Sequence, residues 1–338
     1  MKEAMFFEKL GDNKVKCHLC RHHCIINEGK KGICRVRENR GGTLYSLVYR
    51  KLISENIDPI EKKPLFHFYP GSTAFSVATA GCNFRCLNCQ NYEISQLSKN
   101  HDQIVGKDIA PEKIVEEALN YHCKSIAYTY TEPTIFFEYA YEITKIASQK
   151  SINNVFVTNG YITREALATI KPYLHAANID LKSFSDETYK KICGARLEEV
   201  LDCIRSYKEM GIWIEITTLI IPEINDSASE LKKIAEFIKS VGPEIPWHVS
   251  RFYPQYRLME KPPTPVDTLR MARNIGLEAG LRYVYEGNVP GEGGENTYCY
   301  ECKRVLIKRH GYQIIENNII STKCPSCNIV IDGVGMSV

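Results

Sequence analysis

From Phe75 onward, six short apolar runs alternate with six segments of helical periodicity, a pattern that a chain satisfies by building a parallel sheet with right-handed crossovers. The predicted strands are Phe75–Ala80, Ser125–Thr131, Asn154–Thr158, Ala177–Leu181, Ile212–Ile221 and Trp247–Phe252. The predicted helices lie near Pro111–His122, Thr134–Gln149, Arg164–Ile170, Leu197–Met210, Ser227–Val241 and Val266–Ala279. Six such units rather than eight predict an α/β fold, a partial TIM-like barrel, whose chemistry collects at the C-terminal ends of the strands. A later segment, 280–291, reads as a last edge strand followed by a Gly/Pro loop, a type of loop that often covers a site.

Polar residues gather at those strand ends. Thr131 and Glu132 lie at the end of the second strand, Thr158 and Asn159 end the third, and the fourth carries Asn178, Asp180 and Lys182. In the fifth strand Trp213, Glu215 and Thr217 alternate with isoleucines, and in the sixth His248 and Ser250 alternate with Trp247 and Val249. With helices packed outside, the polar side of each strand faces the lumen, which predicts a wet, ligand-filled cavity.

After the first of these strands comes Cys82-x₃-Cys86-x₂-Cys89. Three thiolates can hold a [4Fe-4S] cluster and leave one iron open to a ligand from solution, whereas electron-transfer clusters usually close with a fourth. A share in a zinc site is the competing reading, but zinc favours paired C-x₂-C knuckles from two places in the chain.

This loop, Cys82-Asn83-Phe84-Arg85-Cys86-Leu87-Asn88-Cys89, resembles the signature of radical S-adenosylmethionine (SAM) enzymes, except that Asn88 stands where that superfamily usually has an aromatic residue. The resemblance implies SAM chelated to the open iron and cleaved reductively to a 5′-deoxyadenosyl radical, which takes hydrogen from a substrate. It places Tyr130-Thr131-Glu132-Pro133 where the superfamily has a Gly-Gly-Glu segment for the SAM amino group, with only Glu132 kept. Thr158, Asn159, Asp180 and Lys182 then resemble ribose and carboxylate contacts of the pyruvate formate-lyase activating enzyme group, while Val157 replaces an acidic residue used there. A SAM pocket independently needs a carboxylate, a cation and hydrogen-bonding groups of this kind. Segments 127–134, 246–252, 283–291 and 295–299, with the cysteines near the start, make nearly the whole chain similar to the radical SAM component of the AmmeMemoRadiSam system. That similarity implies Memo-like and AMMECR-type proteins as partners, alongside an electron donor such as flavodoxin or ferredoxin. Activation of a glycyl radical enzyme and a non-catalytic iron-sulfur/zinc protein are the alternatives carried forward.

Two further cysteine groups flank the barrel. Cys17-x₂-Cys20-x₃-Cys24-x₉-Cys34 supplies four thiolates for zinc or for a second cluster, since the ligand count suits both. Cys299-x₂-Cys302 and Cys324-x₂-Cys327 have the spacing of a zinc ribbon, with a cluster as the competing reading, and the metal would provide folding energy that so small a module lacks. The expected organisation is therefore a Cys-rich metal-binding and lead-in segment over 1–72, the barrel over 73–290 and a ribbon-like module over 291–338. Cys123 and Cys203 read as core packing, and Cys193 either as ordinarily buried or as a candidate hydrogen-atom or substrate partner near the cavity.

Most of the 14 cysteines fall in metal-ligand spacings and residues 1–16 contain no apolar signal segment, so the expected setting is a reducing cytoplasm. The net charge of +3, with both signs interspersed, supports neither a nucleic-acid surface nor a membrane patch. The substrate is not legible.

Overall fold

The computed structural model describes residues 1–96 and 104–337. Its centre is a nine-stranded sheet. We label its principal strands β1 (Lys51–Pro59), β2 (Thr73–Thr79), β3 (Ser125–Tyr128), β4 (Asn153–Thr158), β5 (Ala176–Asp180), β6 (Trp213–Ile220), β7 (Trp247–Arg251) and β8 (Val284–Gly287). Strands β2 to β8 run parallel in chain order, and β1 pairs antiparallel with β2 at the other edge, followed by Lys107–Asp108. The mixed sheet fits a partial barrel.

The helices are α1 (Pro111–Asn120), α2 (Phe137–Gln149), α3 (Arg164–Ile170), α4 (Leu197–Glu209), α5 (Ala228–Val241) and α6 (Val266–Ala279). Each predicted helix is present. The predicted start of the second at Thr134 is displaced, because the Glu132 side chain caps the amide of Thr134 and opens a 3₁₀ turn, Pro133–Phe136, before α2 begins. Thr163 caps α3 in the usual way, its hydroxyl accepting the Ala166 amide at 3.4 Å.

One sequence expectation changes and one is met. The stretch from Leu44 to Pro70, which reads from sequence as irregular and strand-like lead-in, contains the nine-residue β1, so the main sheet begins at Lys51 rather than after residue 72. Its apolar residues do not alternate because a register shift between Leu52 and Ser54 and a half-exposed edge position remove the usual pattern. The strand expected at 280–291 is real and is the seventh parallel strand, delivered by α6.

The polar inward face also divides in two. Glu215 and His248, read as cavity groups, sit buried below the cavity and bond to each other at 2.7 Å. Glu215 also accepts the backbone N–H groups of Phe66 at 3.0 Å and His67 at 2.7 Å, while His67 bonds Tyr285 Oη and the Asp332 carbonyl at 2.6 Å each. These groups plug the barrel with a satisfied network, which is how buried charge is tolerated.

The C-terminal module shares this packing. Phe66, Tyr283 and Tyr285 form one core with Cys299, Leu306, Ile307, Ile319, Cys324 and Ile331. Arg309 is fully buried, donates to the Phe66 carbonyl at 3.0 Å and lies 4.3 Å over the Phe66 ring. At the other end of the chain, Arg37 and Glu138 on α2 form a buried ion pair at 2.5 Å. Among the described residues, no helix is long and apolar enough to cross a membrane.

Candidate active site and metal centres

The loop after β2 carries Cys82, Cys86 and Cys89 to the C-terminal end of the sheet. Gly81 begins it at φ +98°, with Val36 Cγ1 only 2.6 Å and the Cys34 carbonyl oxygen 3.1 Å from where a Cβ would stand. Only glycine fits that turn beside the N-terminal module. Phe84 anchors the loop, edge-on to Tyr161 and Tyr189 in the core. Backbone bonds from Arg85 and Leu87 to the carbonyls of Cys193 (2.8 Å) and Ile192 (3.0 Å) hold its far side.

All three thiols line a cavity of about 490 Å³, within the range of roughly 300–1,000 Å³ usual for small-molecule sites. Sequence-predicted Glu132, Thr158, Asn159, Asp180 and Lys182 line it too. Glu132 is buried, and burial pushes its carboxyl up. Its Oε1 accepts from Thr134 N (3.0 Å), Thr134 Oγ1 (2.5 Å) and Thr158 Oγ1 (2.8 Å), and its Oε2 accepts from Asn159 N (2.9 Å). Glu132 therefore straps the end of β3 to β4 and retains acceptor capacity only on Oε2. Lys182 pairs with Asp180 at 2.8 Å; although burial opposes its charge, Asp180 and the thiols of Cys86 and Cys193 raise its pKa.

Tyr130, at one of the positions where the resemblance expects glycine, takes φ +61°, a left-handed conformation uncommon for a bulky residue. Its hydroxyl bonds Asp58, and Lys63 lies 4.5 Å over its ring. Burial works against the Asp58 charge, but hydrogen bonds from Lys62, Lys63 and Tyr130 hold the carboxyl well below the usual range.

The sequence pattern of the Radical SAM superfamily matches residues 76–238. The uncharacterized protein MJ0808 of Methanocaldococcus jannaschii is 50% identical over 335 residues, spanning 98% of this chain and 99% of its own. The chain belongs to the radical SAM superfamily. A second relative of this radical SAM chain in the same organism, the putative glycyl-radical enzyme activating enzyme MJ1632, is 26% identical over 211 residues, 61% of this chain and 78% of that one. Among solved structures, Streptococcus suis SuiB bound to S-adenosylmethionine superposes with a TM-score of 0.51 at 13% identity, covering 68% of this chain and 53% of SuiB, a likeness of fold.

Membership in the radical SAM superfamily implies a [4Fe-4S] cluster and SAM, and the cavity's donor set fits both. Oδ1 of Asn88 and Oδ1 of Asn159 are buried without a protein partner, and both residues line the cavity. Buried polar atoms of this kind are usually satisfied by something. Around the thiols, Cys82 accepts the Phe84 amide at 3.4 Å and Cys89 meets Ser95 Oγ at 3.0 Å.

Several lining residues escaped the sequence reading. Lys62, Lys63 and Pro64 arrive from the lead-in, Asn91 and Gln96 from just beyond the cysteines, and Tyr312 from the C-terminal module. None sits at a strand end, so no periodicity marked them. Asn288, in the Gly/Pro loop suspected of covering a site, does line the cavity.

Of the two readings of Cys193, ordinary burial and a cavity group, the structure shows burial. It is buried, its side chain bonds that of Cys86, and it borders a small side pocket rather than the main cavity. The contact with Cys193 lowers the Cys86 pKa. Cys123 and Cys203 are buried as expected.

The two flanking cysteine groups differ in geometry. Cys299 and Cys327 have their sulfurs 3.5 Å apart, Cys302 and Cys324 3.6 Å, and all four lie within 4.8 Å of one another. Four Zn–S bonds of about 2.3 Å at tetrahedral angles separate sulfurs by roughly 3.8 Å, so this group can hold a single ion. Cys17, Cys20, Cys24 and Cys34 all face one small cavity, with Leu19, Ile26, Ile33 and Ile135 among its walls. Burial and the neighbouring thiols push Cys20 well up.

Proposed function

We propose that the chain reductively cleaves SAM at an open [4Fe-4S] cluster held by Cys82, Cys86 and Cys89 and removes hydrogen from a substrate in the adjoining cavity. The supporting observation is the convergence of these three thiols with the partnerless amide oxygens of Asn88 and Asn159 on one cavity, which no fourth cysteine lines among the described residues. When bound and reduced, the cluster supplies the electron that breaks a sulfur–carbon bond of SAM.

The chain's own groups bind and orient. Glu132 Oε2 can accept from an ammonium, and Lys182 can turn from Asp180 toward a carboxylate. Thr158, its hydroxyl spent on Glu132, sets the position of that carboxylate rather than contacting ligand directly. Cys193 S–H is placed to donate to the Cys86 sulfur, and hydrogen bonds to cluster sulfurs tune reduction potentials. Lys62, Lys63, Asn178, Thr217 and Ser250 form the wall offered to a substrate.

Activation of a glycyl radical partner is a second reading, favoured by the relationship to MJ1632. The finer resemblance to the AmmeMemoRadiSam component belongs to the same proposal. It brings Memo-like and AMMECR-type proteins as partners, a flavodoxin or ferredoxin as donor, a cytoplasmic setting, and zinc in a ribbon at Cys299, Cys302, Cys324 and Cys327.

The test is anaerobic reconstitution with iron and sulfide, dithionite reduction and chromatography for 5′-deoxyadenosine after addition of SAM. Wild type should form the product and Cys86→Ala should not. Equal product from both would remove the reading. A glycyl radical signal in a co-incubated partner would select the activase form.

A further inference from the structure

We propose that Cys17, Cys20, Cys24 and Cys34 hold a second [4Fe-4S] cluster, closed by four thiolates, and not a zinc ion. The proposal stands independently of the reaction proposed above.

Three observations carry it. The first is spacing. Among the described residues, the C-terminal quartet is the group of ligating side chains whose sulfurs all lie within 4.8 Å of one another. The N-terminal thiols share one cavity at wider separation, as do Cys82, Cys86 and Cys89 in the main site. Among the described residues there is thus one group of thiols drawn together to the size of an ion and two that are not drawn that close. A tetrahedral zinc would need its sulfurs at roughly 3.8 Å, as in the C-terminal group.

The second is the wall. Leu19, Ile26, Ile33 and Ile135 make an apolar wall beside the N-terminal thiols, of which Cys17 is buried and Cys20, Cys24 and Cys34 are half-buried. Arg37 lines the same cavity, is 2% exposed, and its Nε donates to no protein atom although its two terminal nitrogens are engaged. A buried donor left over beside four thiols suits an acceptor that the protein does not supply, such as an inorganic sulfide or a metal-bound thiolate, and hydrogen bonds to the sulfurs are among the controls on a cluster's potential.

The third is location. His22, between Cys20 and Cys24, places Nε2 2.8 Å from the carbonyl oxygen of Asn83, next to Cys82. Cys20 bridges to Ile162, and the Cys34 carbonyl packs against Gly81. The two cysteine loops are in direct contact. A closed cluster here has no iron free for SAM, and it lies where an electron from a one-electron donor protein can pass inward to the open site.

The test separates the sites on the full chain. Cys82→Ala/Cys86→Ala/Cys89→Ala, purified and reconstituted anaerobically, should keep roughly half of the wild-type iron and sulfide. Its reduced EPR spectrum should not change on adding SAM. Cys20→Ser/Cys34→Ser should lose the complementary half and keep the SAM-sensitive signal. Should the second variant not fold, the first decides alone. A triple variant that binds no iron and carries two zinc ions per chain would overturn the proposal, as would retained iron whose spectrum responds to SAM.

Discussion

Arg37 donates two hydrogen bonds to the carboxylate of Glu138, at 2.5 and 2.6 Å, in a pair that solvent scarcely reaches. Glu138 also accepts the Met5 amide at 2.7 Å, so one α2 side chain fastens both the strand Arg37–Arg40 and the bend at Met5 to the barrel. Removing one partner of such a pair strands a buried charge, at a cost of about 3–5 kcal/mol. Arg37→Leu should lower the urea midpoint accordingly, and Arg37→Leu/Glu138→Leu should recover much of the loss. A double variant no better than the single would show that the charge is not what matters.

Gly81→Ala tests the seam between the N-terminal module and the first cysteine. The added methyl meets Val36 Cγ1 at 2.6 Å, and the backbone is held at φ +98°. Overpacking and left-handed strain together predict a loss of about 1–3 kcal/mol or more. Because the turn also aims Cys82, iron bound after reconstitution should fall with it. Wild-type stability and iron content would refute the steric account.

Asn88→Ala removes a buried amide oxygen that has no partner within the protein. If that oxygen meets SAM, its loss should weaken SAM binding by about 1 kcal/mol, roughly five-fold, with iron content unchanged. Titration of SAM against the EPR signal of the reduced cluster measures the shift. Unaltered affinity would exclude the contact.

His67 makes stability depend on pH. Burial pushes its imidazole down to about 4, so it is neutral in the fold. A depressed histidine contributes stability that is complete above about pH 6.5 and is lost as pH falls toward the folded value, here up to about 3 kcal/mol. Urea unfolding at pH 7 and pH 4.5 should show a larger difference in wild type than in His67→Gln. Parallel pH profiles would contradict the assignment.

How much of this was legible beforehand varied with the kind of signal. Helix α3 and helix α6 were found to the residue because periodicity and end signals agree there, with Thr163 capping the first and Gly280, at φ +103°, ending the second. Strand β1 showed only as strand-like lead-in, without bounds or a place in the main sheet, because Leu52, Ile53 and Ile57 do not alternate across a bulged edge. Glu215 and His248 were correctly seen to face inward, but inward has two destinations, and residue type alone does not separate a wet cavity from a hydrogen-bonded plug. The three-thiol loop announced itself through spacing. Lys62, Lys63 and Tyr312 carried no local mark, since only tertiary packing brings them to the cavity.

Tyr312 occupies the turn between the strands Val305–His310 and Gln313–Asn317, within the module carrying the four close-set sulfurs Cys299, Cys302, Cys324 and Cys327. A distant ornament could be damaged without consequence for the main cavity, but this module lends its tip to the cavity that Cys82, Cys86 and Cys89 line. An oxidant that attacked those sulfurs would slacken one side of the cavity while leaving Cys82, Cys86 and Cys89 untouched, so the shape of that wall can be lost before the three-thiol loop is altered.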